Sequence, residues 1–397
     1  MKIVIAGVSA PSQLNGVSRH AANIVRGLLA LPDKLEIHLL AGEWQSEMFA
    51  QAIGSANPRL RIHSVSIAHR NLARIRWYYR DLPHIANQLA ADVVHLSYTM
   101  PIDRRAFACP TGVSLHDLYP FDIPRNFGFI KGAINRQLMS QCLRNVDGIA
   151  CVSESTRRRL RRRFSPALHR KAVTIPNAVE PIASAPVRPP QIPADRTFLL
   201  CMAQHRLNKN IPLAVQIFEH LLRRRILHPD TKLLVIGIPG PETPRIHAQI
   251  RASKLDRNVI LLSGISEGEL QWCYLNCHLL LAPSSIEGFG LPIVEALLAG
   301  CPVVCADIPA FREIGAGHCC YVPFGDNVHA RYEDAIRVTL AEPRTTPVAL
   351  PRLAPSVIAR EYLAFYTRLL AARRTSPSEL AFYCDSSADE LDPAEAG

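Results

Sequence analysis

Long apolar runs are missing from this chain. No stretch approaches the roughly 20 consecutive apolar residues that a membrane-crossing helix needs. The longest candidates, such as Leu279 to Ala282 or Cys301 to Ala306, are strand-sized. The opening MKIVIAGVSAP has too short an apolar part for a secretory leader and reads as a first β-strand. No second Cys/His pair completes Cys273-x3-Cys277-His278 at ligand spacing, which argues against zinc. Zinc-finger, RNP and homeodomain patterns are absent, so nucleic acid is not an expected partner. No sequence repeat links the two halves, and residues 375–397 contain no base.

What is present is a soluble globular balance. The chain has 397 residues, enough for two or three domains of about 100–200 residues. With 48% hydrophobic and 20% charged residues it can build a core and is too apolar for a disordered chain. The net charge is +11, yet the last 23 residues hold six acids, so the rest of the chain carries +17. A basic body calls for an anionic partner: nucleotide phosphates, nucleic acid or an anionic membrane face. The 11 cysteines mostly sit among apolar neighbours, as in Cys301-Pro-Val-Val-Cys305, and read as buried reduced thiols of a cytoplasmic protein.

Short apolar runs alternate with helix-period stretches, the pattern of a parallel sheet covered by helices. In the first half the expected strands are Lys2–Ala6, Glu36–Leu40, Arg61–Val65, Val93–His95, Gly112–Leu115 and Gly148–Val152. Pro176 to Arg196 then holds six prolines in 21 residues and reads as a linker. A second alternation follows, with strands near Thr197, Lys232, Val259, Leu279, Val303 and Cys320. Pro355–Arg374 reads as a last amphipathic helix with Val357, Tyr362, Phe365, Tyr366 and Leu369 on its apolar side. The acidic segment 375–397 reads as disordered.

The most informative string is PSSIEGFGLPIVE, Pro283 to Glu295, which follows a buried strand and opens a helix with Pro292 in its first turn. Gly288 and Gly290 let backbone approach a ligand, and the free N–H groups of a helix start suit an anion or a ring of hydroxyls. Glu287 and Glu295 can face one crevice at the carboxyl end of a parallel sheet. Glu295 alone would pass for a carboxylate complementing the helix dipole. Lys209 and Arg206, in CMAQHRLNKNI, lie just past a strand end, where two cations can neutralise a departing diphosphate. A lone lysine is more commonly a solvated surface charge. His116 follows an apolar strand, a position often held by a core histidine bonded to backbone.

These residues together resemble glycosyltransferase family 4, retaining enzymes of the GT-B fold. Glu287-x7-Glu295 within EGFGLPIVEALLAGCPVVCADIPAFREI is similar to the family signature. Asn208-Lys209-Asn210 resembles its basic phosphate-binding turn, His116-Asp117 its first-domain His-Asp, and Asn15-Gly16-Val17 its acceptor-side glycine loop. Pro176-Asn177-Ala178-Val179-Glu180 resembles the Pro-Asn-Gly-Val-Asp before its linker. The chain departs from the pattern at Ala178, Glu180 and Ala203, in having one glycine where two are common, and in a shortened Arg206-to-Lys209 spacing.

The resemblance implies two Rossmann-like α/β domains facing a cleft. Residues 1–180 would bind the acceptor, 181–196 would link, and 197–354 would bind the nucleotide-sugar. The helix 355–374 would cross back to the first domain. By the same resemblance Lys209 and Arg206 stabilise the leaving diphosphate and His116 contacts the transferred sugar. Glu287 and the amides of Gly288, Phe289, Gly290 and Leu291 position that sugar, Glu295 grips the ribose, and Gly16 lies on the acceptor-side loop. Asp117 orients its loop. The two glutamates are therefore not a glycosidase pair, whose carboxylates flank one bond at about 5–10 Å. No metal or separate cofactor is implied; the donor, GDP- or UDP-linked with GDP-mannose favoured, is a substrate. The acceptor would be a glycan or lipid-linked molecule of cell-envelope polysaccharide synthesis. Arg157 to Arg163, six arginines in seven residues, and Arg70, Arg74, Arg76 and Arg80 around Trp77-Tyr78-Tyr79 are either solvated helix faces or docking sites for anionic lipid at the inner face of the plasma membrane. The alternative function is a non-catalytic nucleotide-sugar-binding protein or a membrane-associated basic scaffold.

Overall fold

The computed structural model describes residues 1–10, 16–54, 57–193, 197–344 and 346–374. The first lobe runs β1 (Lys2–Ala6), α1 (Gly16–Ala30), β2 (Glu36–Gly42), α2 (Glu43–Ile53), β3 (Leu60–Val65), α3 (Asn71–Arg76), α4 (Leu82–Gln88) and β4 (Val93–Leu96). It continues through β5 (Thr111–Leu115), α5 (Tyr119–Asp122), α6 (Phe129–Asn145), β6 (Gly148–Cys151), α7 (Glu154–Arg163), α8 (Pro166–Arg170) and β7 (Ala172–Thr174). The second lobe runs β8 (Phe198–Met202), α9 (Ile211–Arg223), β9 (Lys232–Ile236), α10 (Thr243–Ala252), β10 (Val259–Leu262), α11 (Glu267–Asn276) and β11 (Leu280–Ala282). It ends with α12 (Leu291–Leu298), β12 (Val303–Ala306), α13 (Pro309–Gly315), β13 (Cys320–Val322) and α14 (Val328–Ala341), before α15 (Pro355–Arg374).

Two parallel sheets result, ordered β3-β2-β1-β4-β5-β6-β7 and β10-β9-β8-β11-β12-β13. The inner strands β4, β5 and β6 are buried at every residue, which is why they read as continuous apolar runs rather than alternating ones. Strand order reverses beside β1 in one sheet and beside β8 in the other. Loops after the reversal strands splay apart and leave a crevice at the carboxyl ends.

The last helix rejoins the first lobe. Tyr362, Phe365, Tyr366 and Leu369 of α15 sit in one core with Ile24, Val25 and Leu28 of α1. The described prolines between β7 and β8 permit no helix or strand there. Among the elements that residue spacing did not place are β7, three residues long, and α13, a seven-residue helix squeezed between two strands. The acidic segment 375–397 lies outside the described residues. All ten described cysteines are free thiols, eight of them buried.

Candidate active site

The two strand-order reversals face each other across a cleft of about 460 Å³. The turn after β8 supplies Arg206 and Lys209; the loop after the neighbouring β11 supplies Glu287. Lys209 Nζ donates to Glu287 Oε1 at 2.6 Å, and both side chains are largely desolvated, at 17% and 7% exposure. The Tyr119 hydroxyl, from the other lobe, donates to Glu287 Oε2 at 3.1 Å. Burial, reinforced by the carboxylates of Glu287 and Asp117, holds that phenol well above its usual range, so it remains a donor.

Glu295 opens onto the same cleft from α12. Tyr274 donates to its Oε2 at 2.8 Å, and the Arg19 guanidinium, from α1 of the first lobe, lies 3.6 Å from its Oε1. Burial raises the Glu295 pKa, and Arg19 and the Tyr274 hydroxyl only partly offset this. Gly16 and Leu291 face each other across the lobes, with Leu291 Cδ1 3.9 Å from where a Cβ on Gly16 would stand. Asn15, of the same loop, lies outside the described residues. His116 Nε2 is bonded to the Ser97 carbonyl at 2.8 Å, and burial lowers its pKa, so the ring is held neutral in the cleft wall. Asp117 accepts from the Tyr119 amide at 2.9 Å, a loop-orienting bond.

All ten residues singled out in the sequence line this one cleft: Gly16, His116, Arg206, Lys209, Glu287, Gly288, Phe289, Gly290, Leu291 and Glu295. The buried Phe289 packs into the hydrophobic core of the second lobe, with Ile293 and Phe311. Residues 14–181 match the family description "Glycosyltransferase Family 4", and residues 187–337 match "Glycosyl transferases group 1". The chain is a family 4 glycosyltransferase. It is 23% identical to O-antigen chain mannosyltransferase B of Escherichia coli over 79% of this chain and 84% of that one. In fold it is similar to WaaG, a glycosyltransferase involved in lipopolysaccharide biosynthesis, with TM-score 0.62, 16% identity and coverage of 95% and 96% of the two chains. It is also similar to Anabaena HepE in complex with UDP and glucose, with TM-score 0.60, 15% identity and coverage of 96% and 100%. The two-lobed GT-B architecture is thus established.

In this glycosyltransferase the two lobes lock together around Gly288. A Cβ there would lie 1.8 Å from the His116 carbonyl oxygen, so only glycine admits the approach, although its backbone is outside the left-handed region. Gly290 differs: its φ of 110° itself demands glycine. The Ser153 and Thr156 hydroxyls donate to the Gly288 carbonyl at 2.5 and 3.0 Å, and Arg159 Nη2 donates to the Glu287 carbonyl at 2.7 Å. Glu313, on α13, accepts from the Glu154 and Ser155 amides at 2.7 and 2.9 Å and so caps α7 from across the cleft. Asn126 accepts from the Leu207 amide at 3.0 Å, holding the turn that carries Lys209.

The arginine run divides: Arg158, Arg161, Arg162 and Arg163 stand exposed on the helix face, whereas Arg159 is turned inward. Arg159 is neither solvated nor free for lipid: it is 14% exposed and pairs with Asp122 at 3.0 Å while gripping the Glu287 backbone. Arg163 pairs with the same carboxylate. In the other basic stretch Arg74, Trp77 and Tyr78 are buried, while Arg70, Arg76, Arg80 and Leu72 are exposed. Among the described residues no group of three His, Cys, Asp or Glu is placed to hold a metal ion. Cys277 instead packs with its sulfur 3.2 Å from that of Cys301.

Residue spacing missed Arg19, Tyr119, Asn177 and Gln204, which also line the cleft. Arg19 had a legible signal, sitting one turn past the glycine loop where helix periodicity returns a side chain to the same end. Tyr119 and Arg159 had none, because their partner Glu287 is 168 and 128 residues away.

Proposed function

We propose that this enzyme moves a hexose, mannose favoured, from a nucleotide diphosphate-sugar to a glycan or lipid-linked acceptor in cell-envelope polysaccharide synthesis, with retention at the anomeric carbon. The observation that carries the reading is the Lys209–Glu287 pair, buried where the two sheet reversals meet. On donor binding Lys209 turns its ammonium to the diphosphate beside Arg206, and Glu287 is released to accept from sugar hydroxyls. As the glycosidic bond breaks, charge accumulates on the departing diphosphate, and fixed cations in a desolvated cleft stabilise it strongly. Glu295, raised in pKa by burial and flanked by Arg19, accepts from the ribose. The neutral His116 ring abuts the transferred sugar, and the diphosphate oxygen takes the acceptor proton. The likeness to the Escherichia coli mannosyltransferase supports mannose, while the UDP and glucose bound by the Anabaena neighbour keep UDP-linked donors in view. The free buried thiols suit a reducing, cytoplasmic setting.

A panel of GDP- and UDP-sugars, read by thermal shift and by transfer of labelled sugar, tests this. One class of donor should raise the melting temperature by several degrees and support turnover or slow hydrolysis. Absence of any shift with every nucleotide diphosphate-sugar would remove the donor assignment.

A further inference from the structure

The exposed arginines of both runs supply charge, but a lipid-facing surface also needs a cluster of exposed apolar side chains. Three large apolar side chains stand in solvent together in the first two turns of α6, Phe129 at 90% exposure, Ile130 at 74% and Ile134 at 52%, against Leu72 and the less exposed Tyr79 in the Arg70–Arg80 stretch. Ile130 and Ile134 are one helical turn apart, and so are Phe129 and the exposed Ala133, making one apolar stripe. Arg125 and Lys131 beside them are exposed, and the segment 123–146 contains no acid. Among the described residues no helix is long and apolar enough to cross a membrane, so any lipid contact is made at the surface.

We propose that this α6 tip docks the enzyme on an anionic lipid bilayer, the apolar stripe entering the headgroup boundary and Arg125 and Lys131 meeting lipid phosphates. Exposed apolar residues with cations beside them match that interface in polarity and in charge. Its place in the fold gives the contact a purpose. Asn126, three residues before Phe129, is bonded to the Leu207 amide and to Asn208 in the turn that carries Lys209. Three residues of chain span at most about 11 Å. Docking at the tip therefore holds the mouth of the cleft against the bilayer, where an acceptor built on a lipid presents its sugar end. This deepens the transferase reading and rests on it for its purpose, but docking itself is read without turnover, so each can fail alone.

The test is vesicle co-sedimentation of the full chain with phosphatidylcholine vesicles, with and without phosphatidylglycerol. Binding should require phosphatidylglycerol and weaken as salt is raised. The F129S/I130S/I134S variant should partition about tenfold less or weaker still, because most of the inserted apolar area is gone. Its melting temperature and its donor hydrolysis without vesicles should match wild type. Arg125→Gln with Lys131→Gln should weaken binding and flatten its salt dependence. Equal binding of the triple variant and wild type would overturn the proposal, as would failure of wild type to bind anionic vesicles. So would a wild-type dimer in sedimentation that the triple variant abolishes while vesicle binding is unchanged, since the stripe would then be covered by a second copy.

Discussion

Gly288→Ala is the sharpest perturbation available, because it adds one methyl group where the two lobes touch. The new Cβ would stand 1.8 Å from the His116 carbonyl oxygen. Carbon and oxygen rarely approach closer than about 3.3 Å, so the lobes must part by about 1.5 Å at this point. The group it meets first, the His116 carbonyl, is backbone and not a flexible side-chain end. Separation breaks the bonds from Ser153 and Thr156 to the Gly288 carbonyl and from Arg159 to the Glu287 carbonyl. Two neutral bonds at about 1 kcal/mol each and one charged bond at about 2 make about 4 kcal/mol in favour of the closed form. At about 1.4 kcal/mol per tenfold, the closed population falls by two to three orders of magnitude. If transfer occurs only in the closed cleft, kcat falls by a similar factor. The lobes keep their separate cores, so the melting temperature should change by no more than a few degrees, and small-angle scattering should show a larger radius of gyration. A kcat within threefold of wild type, with scattering unchanged, would refute the reasoning.

Other outcomes follow from the same geometry. Lys209→Gln keeps a donor for Glu287 but removes the charge; turnover should drop by about 10²–10³ with an unchanged circular dichroism spectrum, and wild-type-like turnover would take Lys209 out of the chemistry. Tyr119→Phe frees Glu287 Oε2 from its cross-lobe bond, so KM for the donor should change more than the melting temperature does; a change in melting temperature alone would make Tyr119 purely structural. Burial lowers the pKa of His20 and His116 and brings His95 to about 3 against an ordinary 6.5. A depressed base contributes stability that is present above the unfolded value and lost as pH falls toward the folded one, so the melting temperature should be flat above about pH 6.5 and fall below it. His95→Gln should make that fall shallower; an identical slope in the variant would exclude His95 as a source.

Much of this protein was legible in its residues. The strand runs from Lys2 to Val322 appear nearly where apolar periodicity puts them, and α15 spans Pro355–Arg374 as its amphipathic spacing suggests. The ten candidate site residues lie in one cleft because loops at the carboxyl ends of parallel strands gather at strand-order reversals, which local pattern and family likeness foretell. Local sequence could not reveal which groups meet across the lobes. Nothing near Arg159 tells that it grips the Glu287 carbonyl instead of solvent, nothing near Glu313 tells that it caps α7, and nothing near Phe129 tells that α6 begins outside the packed body. Periodicity records which face a residue presents to its own element. The partner waiting at that face is set by chain closure over a hundred residues or more, and only the tertiary fold decides it.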